Sequence, residues 1–232
     1  MEEKSLALSL KDSLTEEITS VLCEFSEVSL DSIMEEGFLK EIPFISTVVS
    51  IYNIGKSIRE RHHVAKLIVF LNEINKGTVD YKKRDEYKEK FKENPKFCSK
   101  ELEYILVLID RYITLDKPKL LARIYLAYLD GVIIWEELVM YAEVIDRFLL
   151  LDFGTLTSQT DRTIVYRNIG GESVLRLVAL GLMTEVTETS PFVRHGDGSY
   201  GLTIETLSRT TSTNKVYKRT EFGEKLANIL RE

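Results

Sequence analysis

Cysteine is scarce in this sequence of 232 residues, which has only Cys23 and Cys98. Two cysteines so far apart cannot supply the disulfide framework that stabilises small secreted domains. The N-terminus, Met-Glu-Glu-Lys, also lacks the basic and apolar regions of a signal peptide. We therefore expect a cytoplasmic protein in which both thiols are free.

Long uncharged segments are also missing. The longest runs from Ile42 to Gly55 and contains 14 residues. As a helix it would extend about 21 Å, which is shorter than the roughly 30 Å hydrocarbon core of a bilayer. The sequence thus predicts no transmembrane segment, although an apolar stripe in residues 44–58 leaves open that this segment perturbs membranes.

Recognisable catalytic and metal-binding motifs are absent as well. His62 and His63 are adjacent, and neighbouring helical residues diverge by about 100°, so the pair cannot chelate one metal ion. Asp130-Gly131 is followed by aliphatic residues where a calcium loop needs oxygen ligands, which favours a turn between two helices. Cys98 would need a neighbouring base to act as a nucleophile. We expect a non-enzymatic protein without a cofactor.

What the sequence does contain is an uneven charge distribution. Residues 1–36 have a net charge of -8, residues 37–100 of +6, residues 101–152 of -5 and residues 153–232 of +1. DNA-binding domains are usually clearly basic, because neutralising phosphates supplies much of their affinity. The nearly neutral C-terminal segment does not favour DNA binding.

Residues 1–152 have the apolar periodicity of helices. Apolar residues recur at spacings of three and four, and Gly, Asn and Pro separate the segments. Ser99 is predicted as an N-cap. The predicted helical segments are 5–35, 44–58, 64–74, 102–113, 116–129 and 138–148. This pattern predicts a multi-helix domain over residues 1–152.

Residues 78–98 form a charged arm within that domain. Lysines and arginines alternate with aromatic residues here, which is one feature of nucleic-acid binding segments. Acidic residues are interleaved at helical spacings, however, and favour pairing within a solvated helix. We expect an exposed arm or linker.

From residue 153 onward the pattern changes to short strands. An apolar helix ends at Gly181, strands are predicted over 184–188, 200–207 and 215–219, and Thr220 is positioned to cap a closing amphipathic helix. These are the parts of a winged helix. The predicted fold is therefore mainly α, with a helical domain (1–152) followed by a small α/β winged-helix-like module (153–232).

A winged helix binds either DNA or protein. The candidate recognition helix, residues 172–183, offers only Glu172, Ser173 and Arg176 as polar side chains, whereas reading base edges requires several long hydrogen-bond donors. If nucleic acid binds at all, the basic residues of the module would contact it. These are Arg176, Arg209, Lys215, Lys218 and Arg219.

Two segments resemble known families. Residues 119–137 look like the helix, Asp-Gly turn and helix of tellurite-resistance B-like domains, with Ile134 where that family usually has a capping serine. The Leu180-Gly-Leu182 turn and the Tyr217-x-x-Thr-x-x-Gly223 segment are similar to bacterial and prophage proteins of the abortive-infection alpha type. The second resemblance implies a role in phage defence.

The leading hypothesis is an interaction or regulatory protein that contacts a protein partner or its own second copy. A DNA-binding transcriptional regulator is the first alternative. An effector that perturbs membranes through residues 44–58 is the second. An enzyme ranks last, because no motif supports one.

Overall fold

A computed structural model describes residues 10, 11, 14, 57–76, 81–157, 163–164, 171–191 and 211–231. The chain divides into two compact units, Met1–Arg147 and Phe148–Glu232. The fold is mainly α with a small α/β unit near the C-terminus, as the sequence predicts. Nearly all of the segments 5–35 and 44–58, and all of the strand predicted over 200–207, lie outside the described residues.

The first unit contains helices α1 to α5. Their bounds are Ile58–Lys76 (α1), Tyr81–Glu93 (α2), Pro95–Arg111 (α3), Asp116–Leu129 (α4) and Trp135–Arg147 (α5). A capping box opens α1, because the Ser57 hydroxyl accepts the Glu60 N–H at 3.2 Å and the Glu60 carboxylate accepts the Ser57 N–H at 3.3 Å. The apolar stripe of α1 is buried as its spacing predicts, and α1 packs against α4. None of the helices in the described ranges combines the length and apolar character that a membrane crossing needs.

Helix α2 corrects the prediction that residues 78–98 form an exposed arm. Tyr87 and Phe91 are buried, and the Tyr87 hydroxyl lies 2.8 Å from the Tyr125 hydroxyl of α4. Two aromatic side chains one turn apart are enough to attach a helix that is otherwise charged. The exposed charged residues that the structure describes here, Asp85, Glu86, Glu89, Lys92 and Glu93, therefore lie on the solvent side of a packed helix.

The break between α2 and α3 falls at Asn94, with Pro95 in the first turn of α3, where its missing N–H has no helical partner to lose. The prediction of Ser99 as an N-cap is wrong, since Ser99 lies inside α3. At the other end of α3, the buried Lys66 ammonium donates to the carbonyl oxygens of Asp110 at 2.6 Å and Tyr112 at 2.8 Å. A cation at this position satisfies carbonyls that have no partner in the helix.

Helices α4 and α5 are joined by the predicted turn at Asp130-Gly131. Gly131 has a φ of 69°, a conformation that favours glycine. The Ile134 N–H donates to the Glu137 carboxylate at 3.1 Å. This bond gives the N–H of the residue before α5 an acceptor, as in a capping box. The isoleucine side chain itself cannot accept a hydrogen bond from the first turn of the helix.

The second unit begins with a 3₁₀ turn and alternates helices with strands. Its elements are the 3₁₀ turn Leu150–Asp152, α6 (Phe153–Thr157), β1 (Thr163–Ile164), α7 (Glu172–Ala179), β2 (Met183–Pro191), β3 (Thr211–Arg219) and α8 (Glu221–Arg231). The described strands form an antiparallel sheet in the order β1–β3–β2. The predicted strands 184–188 and 215–219 lie within β2 and β3, whereas β1 was not predicted.

The turn after α7 is fastened to the start of α8. Gly181 has a φ of 73°, and its carbonyl accepts the Thr220 hydroxyl at 2.8 Å. The Thr220 hydroxyl in turn accepts the Gly223 N–H at 3.0 Å, which makes Thr220 the N-cap that the sequence predicts. The Thr220 N–H donates to the Leu182 carbonyl at 3.1 Å. This arrangement explains why a Leu-Gly-Leu turn and a Thr-x-x-Gly segment occur together.

Candidate functional site

An ion pair between a buried carboxylate and a half-buried guanidinium joins the 3₁₀ turn to α7 in the second unit. Asp152 is fully buried, and Arg176 donates to both of its carboxylate oxygens, at 2.8 Å from Nε and 2.7 Å from Nη2. The Ser173 hydroxyl also donates to this carboxylate. The hydrogen bonds from Arg176 hold the pKa of Asp152 below its usual value, although burial opposes them. Arg176, a predicted nucleic-acid contact, is therefore committed to an intramolecular pair.

The solvent side of α7 carries little that could read DNA. Its exposed residues are Glu172, Leu175 and Ala179, which follow one stripe of the helix. Leu149 and Leu151, in and next to the 3₁₀ turn that holds Asp152, are also exposed. We call the three leucines, Leu149, Leu151 and Leu175, the leucine surface.

Arg219, another predicted nucleic-acid contact, is also engaged by groups of the same chain. The Arg219 side chain is fully buried, donates to the Leu156 carbonyl at 2.7 Å, and lies 2.7 Å from the Glu224 carboxylate. These contacts are intramolecular, like those of Arg176. Lys215 and Lys218 lie on β3, with Lys218 half-buried, and Arg209 lies outside the described residues.

The first unit contains a second cluster, at the junction of α2, α3 and α4. Glu101 is 1% exposed, and one of its oxygens accepts the Tyr128 hydroxyl at 2.7 Å and lies 3.4 Å from the Lys90 ammonium. Lys90 also donates to the Tyr128 hydroxyl. A buried carboxylate requires a counter-ion, because desolvation of an unpaired charge is costly. The Phe97 ring also lies near this nitrogen, with its centroid 5.6 Å away. We call Phe97, Glu101 and Tyr128, the three residues around the Lys90 ammonium, the ammonium site.

The groups around the ammonium site are held in their neutral forms. Burial raises the pKa values of Tyr87, Tyr125 and Tyr128 far above their usual range, so the phenols stay protonated and remain hydrogen-bond donors. Burial also raises the pKa of the Cys98 thiol, whose sulfur lies 3.7 Å from the Lys90 carbonyl. Cys98 is free and buried, and such a thiol is a poor nucleophile.

A third cluster surrounds the C-terminus of α3. His63 Nδ1 lies 3.0 Å from Asp110, and Arg59 lies 3.7 Å from the same carboxylate. Burial lowers the pKa of His63, Asp110 opposes that effect, and Lys66 and Arg59 reinforce it. His62 Nε2 contacts the Ile113 carbonyl at 2.6 Å instead. The two histidines thus have different partners, and the part of the chain that the structure describes contains no group of residues suited to hold a metal ion.

No family model, curated protein sequence or solved structure matches the chain.

Sequence reasoning missed both buried carboxylates. For Asp152 a signal existed, because a single acid within Leu-Leu-Leu-Asp-Phe is surrounded by residues that favour the core. For Glu101 the sequence gave little indication, because its partners are Lys90 and Tyr128, 11 and 27 residues away.

Proposed function

We propose that the protein is a non-enzymatic binding protein whose second unit is winged-helix-like and contacts a protein partner or a second copy of the chain. The observation that carries the proposal is the solvent side of α7. Its exposed stripe consists of an acid, a leucine and an alanine, and the one guanidinium on the helix is paired with a buried carboxylate.

The order of elements supports a winged-helix-like unit. Among the described elements, a short helix (α6), a short strand (β1), a second helix (α7) and an antiparallel pair of strands (β2 and β3) occur in this order along the chain, and β3 lies in the centre of the sheet. In a winged helix the helix before the hairpin is the one presented to a partner. Helix α7 precedes β2 and β3, so the chemistry of its exposed residues bears on whether the partner is protein or DNA.

Protein is favoured over DNA for two reasons. Reading base edges depends on long hydrogen-bond donors, and the exposed stripe of α7 has none. Phosphate binding depends on free cations, whereas the Arg176 and Arg219 guanidiniums are engaged by Asp152 and Glu224. The exposed leucines, by contrast, would gain from burial against an apolar surface.

The proposal also includes a cytoplasmic location and a role in phage defence. The scarcity of cysteine supports a cytoplasmic location. The similarity of residues 180–182 and 217–223 to abortive-infection proteins supports a role in phage defence. The alternative that residues 44–58 perturb membranes is tested by leakage of dye from anionic liposomes.

A photoreactive amino acid placed at position 175 tests the surface directly. We expect ultraviolet irradiation of cells to give a covalent protein adduct, either a dimer of the chain or a complex with one partner. The matched control is position 228, on α8, where Asn228 is also exposed. Adducts removed by nuclease treatment, or equal yields at both positions, would contradict the proposal.

The DNA-binding alternative is tested by measuring the affinity for duplex DNA at several salt concentrations. If the hairpin contacts the phosphate backbone, duplex DNA should bind with sub-micromolar affinity near about 0.15 M salt, and the affinity should fall steeply as salt rises. Replacing Arg209, Lys215 and Lys218 together by alanine should then abolish binding. We expect weak binding at most in the unsubstituted protein.

A further inference from the structure

Lys90 is held in the way that proteins bind an ammonium ligand. Its nitrogen lies 4.8 Å from the centroid of the Tyr128 ring and 5.6 Å from that of the Phe97 ring. The buried Glu101 carboxylate supplies the opposite charge at 3.4 Å. Aromatic faces combined with a carboxylate attract organic cations through the negative potential of the rings and through the full charge.

Lys90 leaves one hydrogen-bond acceptor of the cluster without a donor in the part of the chain that the structure describes. The second oxygen of Glu101 is buried and has no hydrogen-bond partner among the described residues. An unsatisfied carboxylate oxygen in a buried position is costly, and it marks a place where a further donor would be favourable. A ligand that brings N–H groups to both oxygens would satisfy the site better than Lys90 does.

The ammonium site is also open to solvent on one side. The side chain of Lys90 is 42% exposed, and Phe97 is 43% exposed. Lys90 can therefore leave the site without disrupting the buried contacts of α2, which depend on Tyr87 and Phe91. The site resembles a ligand pocket filled by a side chain of the same chain.

We propose that Phe97, Glu101 and Tyr128 form a binding site for a primary alkylammonium group, which Lys90 occupies in the free protein and an external alkylammonium ion displaces. Lys90 is then a built-in competitor that sets the affinity. A tethered competitor acts at an effective concentration in the millimolar range. Its removal should therefore tighten binding considerably.

The experiment uses n-propylammonium with the full chain. In Lys90→Ala this probe replaces the lost part of the lysine side chain atom for atom. The single tryptophan of the sequence, Trp135, reports occupancy, because its ring packs edge-on against Tyr128 at 5.6 Å. We expect propylammonium to change Trp135 fluorescence in the wild-type protein, and Lys90→Ala to bind it roughly tenfold or more tightly.

Three controls test the need for the positive charge of the probe, for the position of Lys90 and for the carboxylate of Glu101. The neutral isostere 1-propanol should cause no comparable change, because the site selects charge. Lys92→Ala removes a lysine from the exposed side of the same helix, where it pairs with Glu89, and should leave the affinity at the wild-type value. Glu101→Gln in the Lys90→Ala background should weaken binding by about tenfold or more, since a charge-assisted hydrogen bond is lost.

A second variant keeps the test decisive if Lys90→Ala does not fold. Lys90→Met retains a side-chain stem of the same length, with sulfur at the δ position, and lacks only the terminal nitrogen, so the ammonium ion is its matched probe. Equal affinity of wild type and the folded Lys90 variant, or equal responses to propylammonium and propanol, would overturn the proposal. Because α7 is not involved, such a failure would leave the proposed function in place.

Discussion

Gly223 lies directly against the backbone of Leu182. A Cβ atom on Gly223 would overlap the Leu182 carbonyl oxygen and lie 2.9 Å from the Leu182 Cα. That carbonyl also accepts the N–H of Thr220, the residue that caps α8. The absence of a side chain therefore allows the start of α8 to pack against the turn that follows α7.

Gly223→Ala should destabilise the second unit by about 1–3 kcal/mol, because the added methyl group meets backbone atoms that cannot rotate away. Urea denaturation followed by circular dichroism measures the change. Gly154→Ala, in α6, is the matched control, since a Cβ there meets no atom within 4 Å. The control should be neutral or stabilising by up to about 1 kcal/mol, and equal losses in both variants would contradict this account.

Leu177 and Leu175 lie two residues apart on α7 but face opposite environments. Leu177 is fully buried, whereas Leu175 is 54% exposed. Leu177→Ala should cost about 2–5 kcal/mol of unfolding free energy, because it leaves a cavity. Leu175→Ala should cost much less, and a similar loss in both variants would show that the exposed stripe of α7 is assigned wrongly.

Asp152→Asn should lower the unfolding free energy by about 1–3 kcal/mol at neutral pH, because it weakens hydrogen bonds to a charged group. Glu172→Gln is the control on the same helix. Glu172 is 94% exposed and lies 3.4 Å from Arg176. A surface pair of this kind contributes at most about 0.5 kcal/mol here. Comparable effects of the two substitutions would argue against a special role for Asp152.

The contribution of Asp152 should depend on pH. Because Arg176 holds the pKa of Asp152 below its unfolded value, the carboxylate stabilises the folded state above that unfolded value. This stability is lost as the pH falls through the folded pKa. The difference in unfolding free energy between wild type and Asp152→Asn should therefore be constant from neutral pH to about pH 5 and shrink below about pH 4. A difference that grows on acidification would refute the assignment.

Protonation of His63 should affect the unfolding free energy closer to neutral pH than protonation of Asp152 does. Burial lowers its pKa in the folded state, so the unfolded chain binds a proton first as the pH falls below 6.5. The wild-type protein should lose stability between pH 7.5 and pH 5.5. In His63→Gln this part of the pH dependence should disappear, as measured by urea midpoints at the two pH values.

Local patterns predicted much of the fold. The stripe of α1, the Asp130-Gly131 turn, the Thr220 cap and parts of β2 and β3 follow from spacing and turn chemistry within a few residues. Strand β1 was missed because only two of its described residues pair with β3, which is too short a segment for alternation to be visible.

The clusters could not be predicted in the same way. The carboxylates of Glu101 and Asp152 are defined by partners from other elements, and their burial depends on the tertiary fold. Helix α2 shows the same limit. Its charge density predicts a solvated segment, whereas Tyr87 and Phe91 decide that it packs.

The attachment of α2 affects how the chain can be shortened. A segment so rich in lysine looks dispensable, and a truncated variant lacking residues 78–98 would be a natural choice for separating smaller pieces. Its removal would leave the Tyr125 hydroxyl without the Tyr87 hydroxyl and the Glu101 carboxylate without its ammonium, both in the interior. Helices α2, α3 and α4 are therefore best kept together, and fragments should keep residues 78–98 joined to the rest of α3 and to α4.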